Sequence, residues 1–168
     1  MTDEIVNKVA RSGLITLNLE EMFPKGDIGE IDIKDQLWQG LVLREKDFRD
    51  FIKNHNWDQY EGKFVAVTCS VDAIIPHWAY MLIASALSGK AKKIVFGTRN
   101  SLEEFLIMEV IAELNAEDFR DQRIIIKGCS DRDFSANVYM QLVNKLQPVA
   151  KSIMFGEPCS TVPVFKRS

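Results

Sequence analysis

Residues 64–96 read FVAVTCSVDAIIPHWAYMLIASALSGKAKKIVF, and this stretch decides the fold. It opens on FVAVTC and closes on KIVF, two β-branched and aromatic runs with the character of strands buried on both faces. Between them lies IPHWAYMLIASALSG, apolar nearly all round, with Pro76 suited to the first helical position and Gly89 to the end of a helix. Strand, helix and strand in that order predict a parallel pair joined by a right-handed crossover.

The same alternation continues downstream. RIIIKG (123–128) and SIMFG (152–156) are further strand runs. SLEEFLIMEVIAELN carries Ser101 and Glu104 at capping-box spacing and a stripe of Leu102, Phe105, Leu106, Val110 and Leu114. DFSANVYMQLVNKLQ is a third helix, which Asp133 is placed to cap and Pro148 to end. Upstream, GLVLREKDFRDFIKNH reads as one more strand followed by an amphipathic helix with Phe48, Phe51 and Ile52 on one side. Residues 1–36 hold a short helix near Asp3–Ala10, an alternating segment at Leu14–Leu19, a turn at PKGDIG and a second alternation in EIDIK. They are an edge hairpin, a lid over the sheet or an arm joining two copies in a homodimer. The expected fold is α/β, a three-layer sandwich with a mainly parallel sheet of four to five strands and an α+β extension at the amino end. The βα repeats occupy 37–168, and no linker or internal repeat divides the single domain expected over 1–168.

With 168 residues, 46% hydrophobic and 27% charged, the chain has material for an ordinary core. A formal charge of -3 without a Lys/Arg-rich run gives no footprint for nucleic acid. The opening MTDEIVNKVARSG lacks the basic start and apolar block of a secretory signal, and no apolar stretch is long enough for a membrane span. A cytoplasmic protein is expected, where thiols stay reduced and cysteines serve as free thiols, nucleophiles or metal ligands.

The three cysteines each follow a strand run and each precede serine: Cys69-Ser70, Cys129-Ser130 and Cys159-Ser160. Open parallel sheets bind ligands beyond the carboxyl ends of their strands, so the loops CSVDAIIPHW, GTRNS, GCSDRD and GEPCSTVP gather the chemistry. Three thiolates from Cys69, Cys129 and Cys159, with Asp72, His77 or a water completing the set, suit zinc or iron. The spacing lacks the CxxC pairs of zinc ribbons. A catalytic reading takes Cys69 or Cys159 as nucleophile, His77 as base and Asp72 as its orienting partner. Arg99 before a helix start, with Ser130, Glu157 and Ser160 in the cysteine loops, are candidate cofactor contacts. A third reading makes each cysteine a small buried hydrophobe at the end of a core strand. His55, in NHNWDQY, belongs to a solvated connection. The tail GEPCSTVPVFKR, stiffened by two prolines around a cysteine, is expected to fold back on the domain.

TCSVDAIIPHWAYML, IKGCS and SIMFGEPCSTVPVFKR, with ITLNLEEMFPKG and DIKDQLWQGLVLREKDFRDFIKNHNW, resemble a bacterial family of uncharacterised proteins, a domain of unknown function. The resemblance covers nearly the whole chain, and GEPCSTVP is its most specific element. It implies genes beside the sulfur-mobilisation machinery for iron-sulfur assembly, hence an accessory role in metal or sulfur handling with assembly proteins as partners. It matches Cys69, Cys129 and Cys159 to the family's CS, GCS and EPCS motifs. His77 stands outside that pattern, which favours Asp72 as the fourth ligand. The expected function is therefore a thiolate-based zinc or iron-sulfur binding protein. The alternatives are an enzyme with a low-pKa cysteine and an interaction module with buried cysteines.

Overall fold

A computed structural model describes residues 13–128, 131–157 and 159–168. Among them are seven strands and five α-helices, arranged in two mostly parallel sheets. The α/β class and parallel pairing expected from the sequence are present. The strand runs, however, divide between the sheets, and so do two compact units of the chain.

The first unit is Lys25–Phe105. Its sheet has the order β2 (Ile28–Asp32), β3 (Phe64–Thr68), β4 (Lys93–Phe96), all parallel. Strand β3 is central, and Phe64, Val65, Ala66 and Val67 are all buried, which is why its sequence shows no polar alternation. Helix α2 (Glu45–Asn54) buries Phe48, and α3 (His77–Leu87) buries Ala79, Ile83 and Leu87 at helical spacing. These join Ile31, Ile33, Val65 and Val67 in one core. Phe48 sits edge-on to Trp78 at 5.9 Å.

GLVL is not a strand. Trp38 N–H donates to Val42 O at 2.7 Å, and Gln39 and Gly40 have φ of 52° and 69°. Two successive left-handed residues fold the chain back on itself, so local turn geometry overrides β propensity.

The second unit is Met1–Pro24 with Leu106–Ser168. Its sheet has the order β1 (Leu14–Leu17), β5 (Arg123–Ile126), β6 (Ser152–Glu157), β7 (Ser160–Lys166). The first three strands are parallel; β7 returns antiparallel to β6, with a register irregularity at Ile153/Met154. The stiff tail does fold back, as an edge strand. Central β5 buries Ile124, Ile125 and Ile126. Helix α5 (Ala136–Leu146) buries Val138, Leu142 and Leu146.

Two further helices complete the set. Helix α1 (Leu19–Met22) follows β1, and α4 (Arg99–Glu113) follows β4 and crosses the boundary between the units. α4 begins three residues earlier than the capping box predicts, with the Thr98 hydroxyl accepting from Ser101 N–H at 3.3 Å. α5 has Ser135, not Asp133, at its N-cap. The alternating segments of the amino-terminal region do not pair with one another. β1 lies beside β5, and β2 beside β3. The helix expected at Asp3–Ala10 lies outside the described residues.

Candidate functional site

In the second unit the carboxyl ends of β1, β5 and β6 point the same way, because the three strands are parallel. The chain leaving β5 is tied to both neighbours. Lys127 N–H donates to Leu17 O at 2.9 Å. A Cβ on Gly128 would stand 3.0 Å from the Phe155 ring, so any larger residue there would have to displace that ring of β6 by a few tenths of an ångström. Cys129 and Ser130 follow at once and lie outside the described residues. Further along, Arg132 meets Glu20 through its guanidinium at 3.1 Å and through its backbone N–H at 3.3 Å. The guanidinium also stacks over Phe23 at 3.9 Å, and Phe23 packs against Phe134 at 6.3 Å.

Strand β6 ends in the hairpin to β7, where Glu157 stands opposite Ser160 and Cys159 occupies the turn. Cys159 is free and exposed. Glu157 Oε1 is buried and has no hydrogen-bond partner among the described residues. A carboxylate oxygen withdrawn from water without a donor is costly, which makes it an open acceptor in the same hairpin as a free thiol. Gly156 permits this hairpin: its φ is 127°, and a Cβ there would fall 2.4 Å from Ser160 O.

The first unit presents a second group at the carboxyl ends of β2 and β3. Cys69 is free and half-buried, and its thiol donates to Val71 O at 3.6 Å. Ser70 N–H donates to Asp32 Oδ1 at 3.1 Å, and the same oxygen accepts from Lys34 N–H at 3.0 Å. Burial works to raise the Asp32 pKa. The hydrogen bonds from Ser70 and Lys34, with the Lys34 charge, outweigh it and hold the carboxyl below its ordinary value. The Tyr80 phenol is pushed up by burial and then by neighbouring Cys69, and its ring lies edge-on to Phe96 at 5.1 Å.

The remaining candidates are less engaged with this edge. Asp72 and His77 are exposed, and His77 opens α3. Arg99 pairs with Glu103 at 3.4 Å, so its charge is already answered. Among the described residues no group of three His, Cys, Asp or Glu side chains is placed to hold a metal; Cys129 lies outside that set. Sequence reasoning missed Glu20, Phe23, Arg132 and Asp32. Glu20 and Arg132 are separated by 112 positions, and Asp32 and Ser70 by 38, distances over which no periodicity gives a signal.

The chain belongs to the family described as "Protein of unknown function (DUF2480)", which it matches over residues 3–167. No curated protein and no solved structure matches it. No helix among the described residues is long and apolar enough to cross a membrane.

Proposed function

We propose that this member of the family binds zinc or an iron-sulfur species through thiolates at the carboxyl ends of its strands. Cys159 and Cys129 supply thiolates from the two connections that flank β6, and Glu157 supplies an oxygen. Cys69 is a separate free thiol of the Lys25–Phe105 unit. The observation that carries the reading is the buried, unpartnered Glu157 oxygen in the same hairpin as free Cys159. A cation answers that oxygen as no described residue does, and thiolate with carboxylate is a donor set that zinc and iron accept. The metal would withdraw the thiols from oxidation and contribute folding free energy. Such a site needs reduced thiols, which is consistent with a cytoplasmic protein serving iron-sulfur assembly.

A nucleophilic cysteine has less behind it. It needs a base within hydrogen-bond reach, and exposed His77 makes no hydrogen bond with a thiol among the described residues.

The test is metal analysis of the full chain after anaerobic purification. Stoichiometric zinc, or iron with acid-labile sulfide, that is lost on Cys159→Ser supports the proposal. A folded, metal-free protein that takes up neither zinc nor iron on titration overturns it.

A further inference from the structure

Away from the cysteines, the corner that closes α2 is built around His55. The histidine is the C-cap of α2, its backbone N–H donating to Phe51 O at 2.9 Å. Contrary to the solvated connection expected from sequence, its ring is half-buried among three aromatic residues. The ring centroids lie 4.9 Å from Phe51, 4.6 Å from Trp57 and 5.9 Å from Tyr60. Trp57 and Tyr60 belong to the core of the unit, and Trp57 Nε1–H donates to Ile52 O at 2.7 Å, locking the turn back onto the helix.

The hydrogen bonds of the ring settle its tautomer. The Gln59 side-chain amide donates to Asn56 O at 2.8 Å, so the group facing His55 Nε2 at 3.2 Å is the NH2 and not the carbonyl. Nε2 must therefore accept, and the Tyr60 hydroxyl at 3.3 Å becomes a second donor to it. The ring is neutral, with its proton on Nδ1. A proton added to Nε2 points at the Gln59 NH2, which cannot accept, and breaks that contact, while the Tyr60 hydroxyl must turn from donor to acceptor.

We infer that His55 is a proton-sensitive latch: protonation of its Nε2 releases Gln59, reverses the hydrogen bond with Tyr60 and loosens the corner that joins α2 to the Trp57 core. Burial acts in the same direction, lowering the pKa of the imidazole below 6.5. Among the described residues no charged side chain works against it, burial being the cause of the shift. Asp58, on the same turn, is ion-paired with Lys90, and Asp50 and Lys53 of α2 are exposed. α3, which packs on this turn, carries no Asp, Glu, Lys or Arg. β2 reaches Tyr60 through Gly29, which has no side chain. The Tyr60 phenol, itself raised by burial, stays protonated and able to donate. The folded pKa lies below the unfolded one. The stability is therefore complete above the unfolded value and is lost as pH falls through the folded value. The latch is independent of any metal at the cysteines.

The test is an NMR titration of the His55 ring in the full chain, with Trp57 emission followed in parallel. The expected midpoint lies below 6.5, with an Nδ1-protonated neutral form and a change in Trp57 emission at that midpoint. Gln59→Ala, a surface change that removes the donor-only amide, should move the midpoint upward. His55→Gln should leave Trp57 emission constant from about pH 7 to about pH 5. A midpoint at or above 6.5, as a cation favoured by the surrounding rings would give, overturns the latch. So does protonation that leaves Trp57 unmoved.

Discussion

Glu20 holds Arg132 twice, by its guanidinium at 3.1 Å and by its backbone N–H at 3.3 Å, across 112 residues of chain. One carboxylate in α1 thus pins the loop that leaves β5, two residues past Ser130. Phe23 backs the guanidinium, so the contact is a carboxylate, cation and ring stacked in order.

Arg132→Ala should lower stability by about 1 kcal/mol, since the pair is partly exposed and such pairs contribute little more. Glu20→Ala should cost more than Arg132→Ala, because alanine at 132 keeps the backbone N–H that donates to Glu20, whereas alanine at 20 removes both contacts. Urea unfolding midpoints of the two variants decide the order. Equal or reversed losses would show that the backbone contact does not matter.

Glu157→Gln should act in opposite directions on the two forms of the protein. Without metal it removes a buried, unanswered carboxylate and should stabilise by about 1 kcal/mol. With metal it removes a donor, and retention against a chelator should fall at least about tenfold. Thermal melts with and without zinc, beside chelator competition, read both effects. A loss of stability in the metal-free form would mean that the carboxylate has a partner in solution.

Gly156→Ala should be among the most damaging single changes in the Leu106–Ser168 part of the chain. The added carbon falls on a backbone oxygen, Ser160 O, which cannot rotate away, and φ is in the left-handed region. A loss of about 2–4 kcal/mol is expected from strain and overpacking together. Chemical denaturation measures it. A change below about 0.5 kcal/mol, the scale of ordinary surface substitutions, would show that the hairpin relaxes freely.

Asp32→Asn should flatten the acid limb of the stability profile. The folded carboxyl titrates below its ordinary value, so its contribution is complete above the unfolded pKa and is lost as pH falls through the folded value. The asparagine keeps an oxygen for Ser70 N–H but loses the charge. Unfolding free energies of the two proteins should differ most near neutral pH and converge in acid. Parallel curves at every pH would refute the assignment.

Much of the fold was legible because its signals are local. FVAV and RIII announce buried strands through unbroken apolar runs, and Ala79, Ile83 and Leu87 mark the buried face of α3 at fixed spacing. GLVL misled because its apolar content outweighed Gln39-Gly40, where the backbone turns. His55 misled because its neighbours in sequence are polar, while the residues that enclose it are Phe51, Trp57 and Tyr60. The hairpin holding Cys159 was readable as a stiff, returning tail. Its pairing with β6 and the isolation of the Glu157 oxygen were not.

By itself the sequence determined the strand and helix runs between Phe64 and Gly156, that the pairing is mainly parallel, and that each cysteine follows a strand run. Period-two and period-3.6 patterns and turn residues encode those features within a few positions of chain. Only the tertiary structure decided that β5 lies between β1 and β6, that β3 lies between β2 and β4, and that Glu20 finds Arg132. Strand order depends on the fit between whole apolar faces far apart in sequence, and any buried parallel strand presents a similar hydrogen-bonding edge to several neighbours. The choice among them is made by packing, which no short stretch of residues contains.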